Sequence, residues 1–158
     1  MPDLVLELKL IHVLGAAVLF GTGLGIAFFM LMAHRTGDPA AIAHTADIVV
    51  IADLLFTASA VIVQPLSGTA LALEMGYPLN EPWIVASLAL YVMVGLCWLP
   101  VVWVQIALRN LARAAAKTQT VLPARYHRLL AIWFALGWPA FLGVIAIFAL
   151  MIWKPRLW

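Results

Sequence analysis

The sequence predicts an all-α integral membrane protein: a single up-and-down bundle of four transmembrane helices with both termini on the outer side. Three observations carry that reading. Hydrophobic residues make up 66% of the 158-residue chain and charged residues only 10%, whereas a soluble domain carries about 25% charged residues. The mean hydropathy is +1.08, and the apolar residues gather in four continuous runs instead of alternating as in a barrel strand. Six of the nine basic residues also collect on one side of those runs, with Lys9, Lys154 and Arg156 on the other. This composition excludes a soluble globular enzyme, a nucleic-acid module and a disordered chain.

The four spans are about 8–33, 48–73, 83–108 and 128–153. Each exceeds the roughly 20 residues that cross 30 Å of hydrocarbon at about 1.5 Å per residue. The first ends in the polar turn His34-Arg35-Thr36-Gly37-Asp38-Pro39. The second ends in a loop that runs from Glu74 to Pro82 through Gly76, Pro78 and Asn80. The third continues beyond the bilayer as a helical extension from Arg109 to Lys117. The fourth follows Pro123 and ends at Trp153-Lys154-Pro155. Pro65, Pro100 and Pro139 fall inside spans, where a membrane helix tolerates a kink if neighbours satisfy the freed carbonyl.

Arg109, Arg113, Lys117, Arg125 and Arg128 cluster in the connection between the third and fourth spans, and Arg35 lies in the first connection. The positive-inside tendency places both of these connections in the cytoplasm. Trp83, Trp153 and Trp158 fit an outer aromatic belt, and Trp133 the inner region. The only cysteine, Cys97, excludes an intramolecular disulfide and reads as a small hydrophobe within an apolar run.

Inside a bilayer the informative residues are the polar ones. Helical spacing puts His12, Leu19, Gly23, Met30 and His34 near one stripe of the first span, with Gly15, Ala16, Gly21, Gly23 and Gly25 crowding the same helix. Gly21 and Gly25 form a GxxxG pair that suits close helix packing, within the monomer or in a homodimer; the alternative is that the small residues make room for a flat cofactor beside His12. The second span aligns Asp53, Thr57, Ala60, Gln64 and Ser67 in a polar stripe. Asp53 must face the interior and find a partner, and Arg109, at similar depth on the third span, is the expected ion-pair partner; otherwise Asp53 is a proton site. The third span also aligns Ser87, Tyr91, Gly95, Trp98 and Gln105. Arg125 and Arg128 suit lipid-phosphate contact, and His127 can join an inner site with His34 or His44. His12 and His34 lie about 33 Å apart along the axis, too far to share one ion. No zinc-protease, P-loop or hydrolase motif is present.

Several blocks together resemble one family. They are Lys9-Leu10-Ile11-His12, Gly21-Thr22-Gly23-Leu24-Gly25, Ala33-His34-Arg35, Val63-Gln64-Pro65-Leu66-Ser67-Gly68, the stretch from Cys97 to Gln105 that contains Trp98-Leu99-Pro100, and Ala135-Leu136-Gly137-Trp138-Pro139-Ala140. These resemble the bacterial membrane proteins of domain of unknown function 2269, across nearly the whole chain. The opening Lys-x-x-His before a glycine-containing helix is also similar to the CopD-like group, which includes copper-resistance membrane proteins and HemJ-type protoporphyrinogen oxidases. That similarity implies haem b, with His12 as an axial iron ligand and Lys9 at a haem propionate. Where the HemJ pattern has Pro-Arg late in the first span, this chain reads Phe28-Phe29-Met30-Leu31-Met32, a departure that argues against protoporphyrinogen oxidation.

The leading expectation is therefore a haem-b protein of the bacterial inner membrane with a redox or electron-transfer role and a quinone or membrane redox partner. Gln64, Tyr91, Met93 and Trp98 would line the cofactor, with Met93 the strongest second ligand. The alternatives are a non-enzymatic partner subunit or packing scaffold and, below it, a copper-handling protein or transporter. The six Met and four His do not form a Met-x-x-Met or His/Met cluster that would favour copper.

Overall fold

The computed structural model describes residues 2–157 and is helical throughout, with no strand among them. The first span is α1 (Pro2–Thr36). The second is composite: α2 (Pro39–Ala52), a π-helical turn (Asp53–Thr57) and α3 (Ala58–Glu74). The third is α4 (Pro82–Thr118) and the fourth α5 (Ala124–Trp153). All four are long and apolar enough to cross a membrane. Trp158 lies outside the described residues.

The helices overrun the expected spans at what we call the basic end, where the α1–α2 and α4–α5 turns lie. Only Gly37 and Asp38 separate α1 from α2. Gly37 takes φ 68°, which a residue with a Cβ adopts poorly. Asp38 then caps α2: its carboxylate accepts from the amides of Ala40 (2.9 Å) and Ala41 (3.3 Å), and Pro39 needs no amide partner. At the opposite, terminal end, Gly76 (φ 75°) turns the chain out of α3.

Two apolar clusters sit at the two ends. The larger, at the basic end, joins Met30, Ile42, Ala46, Leu108, Tyr126 and Trp133 from all four spans. The smaller, at the terminal end, joins Ala72, Trp83 and Ile84, with Tyr77 and Met151 against it. Trp83 is thus packed into the bundle and not into a lipid-facing belt, while Trp153 is 77% exposed. Trp133 departs further from its expected interfacial place: it is buried and donates its indole N–H to Gln105 Oε1 at 3.2 Å. An indole inside apolar surroundings needs an acceptor, and Gln105, itself buried, supplies one. Most other large apolar side chains, including Leu10, Leu66, Leu96 and Ile152, are exposed, as lipid-facing residues are.

Between the two clusters the interior is polar. Pro65 has no amide hydrogen, so the carbonyl of Val61, one turn earlier, loses its helical partner. The Tyr91 hydroxyl of α4 donates to that carbonyl. The hydrogen bond that proline removes from one span is thereby supplied by a side chain from another, as the absence of water in a bilayer requires.

Tyr91→Phe should destabilise the protein by about 1 kcal/mol. The cost should shrink in a Pro65→Ala background, where the residue-65 amide again satisfies Val61. Reversible unfolding of the four variants in detergent measures this coupling; equal costs in both backgrounds would contradict it.

Candidate functional site

The polar middle has two parts. The first lies between α1 and α3. There the helices approach so closely that each gives up a Cβ to the other's side chain: a Cβ on Gly15 would lie 2.5 Å from Gln64 Nε2, and one on Gly68 would lie 2.8 Å from His12 Cε1. Gln64 uses this space to donate to the His12 carbonyl at 2.8 Å. Glycines at these two positions therefore seat polar side chains; they do not open a slot beside His12.

His12 Nδ1 lies 3.0 Å from Ser67 Oγ. The Ser67 hydroxyl has one hydrogen and directs it to the Val63 carbonyl at 2.7 Å. It must then accept from His12, so Nδ1 carries the hydrogen and Nε2 the free lone pair. No partner for Nε2 is found among the described residues.

The second part is the π-turn. The Ala58 amide reaches back five residues to the Asp53 carbonyl, and both Asp53 and Thr57 are buried. Asp53, 4% exposed, accepts from Trp98 Nε1 at 3.2 Å on one carboxylate oxygen. Its other oxygen, Oδ2, and the Thr57 hydroxyl are buried without a hydrogen-bond partner. Single π-turns within α-helices frequently occur at functional sites.

The expected Asp53–Arg109 pair does not form. Arg109 turns to Asp47 at 3.8 Å, which also binds Arg113 at 2.6 Å. The reason is depth: Asp47 and the arginines meet at the half-exposed basic end, where a guanidinium keeps contact with water. Among the described residues no salt bridge reaches Asp53.

The residues expected to surround a haem do not form one cradle. His12 and Gln64 adjoin at the α1–α3 contact, and His12 offers one free ring nitrogen. Tyr91 is committed to Val61 and Trp98 to Asp53. Met93 points toward α5, where its Cε would lie 2.9 Å from a Cβ on Gly143, and Cys97 Sγ is 4.0 Å from its sulfur. Lys9 is exposed on α1. His12 thus fits one ligand position, but the other expected residues do not fit the group. Among the described residues, no group of three or more His, Cys, Asp or Glu side chains is placed to hold a metal ion. The Gly21–Gly25 pair packs against no other helix: a Cβ on Gly21 would meet nothing within 4 Å, and one on Gly25 only Phe29 of the same helix at 3.9 Å. The π-turn and the Gly15–Gln64 and Gly68–His12 exchanges were not foreseen. The glycine spacing did carry a signal for the exchanges, since Gly15 and Gly68 lie one turn from the polar residues His12 and Gln64.

Gly68→Ala should destabilise the bundle by about 1–3 kcal/mol, because the added methyl collides with the His12 ring. Much of that loss should disappear in the Gly68→Ala/His12→Ala double variant. Thermal stability of the four proteins in one detergent checks this, and an undiminished loss in the double variant would contradict the contact.

No curated protein and no solved structure matches the chain. The family model for DUF2269, described as a predicted integral membrane protein, matches residues 6–155. The long apolar helices, their lipid-type exterior and this match over almost the whole length agree, and the chain belongs to the DUF2269 family of integral membrane proteins.

Proposed function

We propose that the protein handles protons within the membrane, with Asp53 as the group that takes up and releases them. The observation that carries this reading is the buried Asp53 carboxyl, which no cation reaches among the described residues. An unpaired carboxylate in hydrocarbon costs several kcal/mol, roughly 2.5–3.5 on insertion scales. Protonation removes that charge, and the site keeps a Trp98 donor for the same carboxyl group.

The stripe beyond Asp53 supports transfer and not storage alone. Thr57, Gln64 and Ser67 continue it along one face toward the terminal end, and Ser67 meets His12. In this reading Asp53 gives up its carboxyl proton and becomes a carboxylate, while His12 Nε2, which carries the lone pair, accepts a proton at the other end of the stripe. Proton movement between the two would require water to enter along the stripe. The orientation implied by the basic residues makes the Asp53 end cytoplasmic.

A second reading, a haem-b protein with a redox role, has one observation in its favour. Metal-ligating histidines commonly donate their other ring N–H to a neighbouring acceptor, as His12 does to Ser67. When bound, the haem would supply one-electron chemistry. Among the described residues no second iron ligand is placed beside His12, so this reading stands behind the first. Oxidised and dithionite-reduced spectra of protein expressed with added haem decide it: a Soret band lost in His12→Ala favours it, and a featureless spectrum ends it.

Proton entry into liposomes holding a trapped pH dye tests the first reading. The protein should accelerate acidification over empty liposomes in a potassium-clamped gradient. Asp53→Asn should fold normally, since no salt bridge is lost, and should lower the rate at least tenfold. Equal rates for the two proteins would contradict the proposal.

A further inference from the structure

A separate cluster lies at the basic end. His34, near the end of α1, and His127, in the first turn of α5, face each other with ring centroids 5.8 Å apart and planes at 70°. Both line a cavity of about 610 Å³ between the α1–α2 turn and the loop that joins α4 to α5. His34 Nδ1 is buried and has no hydrogen-bond partner. Tyr126 is fully buried and packs against both rings: it stacks on His34 with centroids 5.8 Å apart at 26° and meets His127 edge-on at 5.5 Å and 88°, which holds the imidazoles in place.

We propose that His34 and His127 bind a divalent transition-metal ion of the zinc type at this end of the bundle. Two imidazoles on one tetrahedral ion, each about 2.1 Å from the metal, have ring centres about 5 Å apart. The observed separation is within a small side-chain adjustment of that value. The cavity is lined by one carboxylate, Asp38, and by no Lys or Arg, while Arg35, Lys117, Arg125 and Arg128 lie in the surrounding turns, so the ligand set and not the local charge selects a metal ion. Asp38 caps α2 through both oxygens and contributes its negative charge to the site. Water completes the coordination, since the cavity is open and no third histidine lines it. This site uses neither Asp53 nor His12, and its outcome is independent of the proton reading.

The experiment is a titration of the full-length, untagged protein in detergent with Co²⁺, read by its visible absorption, followed by displacement with Zn²⁺. One equivalent per chain is expected. His127→Gln and His34→Gln should each weaken binding at least tenfold. His44→Gln, which changes an exposed histidine outside the cavity lining, should not. His127 is exposed, so its variant keeps the test decisive even if His34→Gln disturbs packing. No binding, or binding unchanged by His127→Gln, would overturn the proposal, as would equal weakening by His44→Gln.

Discussion

The bilayer offers no water, so each polar group inside the bundle must be answered by another part of the chain. That constraint organises the middle of this protein. Tyr91 answers the carbonyl freed by Pro65, Gln64 answers α1, Ser67 answers His12, and Gln105 answers Trp133. Apolar packing cannot fix helix register by itself here, because acyl chains solvate leucine as well as a neighbouring helix does. The polar contacts, together with the close approaches at Gly15 and Gly68, specify which faces meet.

Against that pattern the unanswered groups stand apart. Asp53 Oδ2 and Thr57 Oγ1 are buried and adjacent on the π-turn, and no cation reaches them among the described residues, while Asp47, nearer the basic end, has two arginines within 4 Å; His34 Nδ1 and Tyr126 Oη at the basic end are likewise buried without a hydrogen-bond partner. The same helix therefore carries one acid held as a static ion pair and another kept free of cations. A bundle of this size, with only two modest apolar clusters, gains little from an unsatisfied acid in its middle. Its presence is better understood as chemistry than as architecture.

Much of the fold was legible before any coordinates. Continuous apolar runs set the spans because hydrocarbon thickness sets helix length. Helical periodicity placed Asp53, Thr57 and Ser67 on one inward face, and all three are buried. What periodicity does not supply is the rotation and depth of one helix relative to another. Arg109 was assigned to Asp53 from approximate depth, yet it meets Asp47; Trp98 was assigned to a cofactor, yet it donates to Asp53. In a lipid-facing bundle, outward and inward apolar residues have the same composition, so the faces of Met93 and Trp133 left no mark in the pattern. The π-turn was equally hidden, since nothing in Asp53-Leu54-Leu55-Phe56-Thr57 departs from a good membrane helix.

The central claim is that Asp53 carries a proton in the resting bundle. Infrared spectra of the purified protein at neutral pH test it most directly. The account predicts a carbonyl stretch of a protonated carboxyl group that disappears in Asp53→Asn while the amide bands stay the same. A wild-type spectrum in which the substitution removes only carboxylate absorption would contradict it.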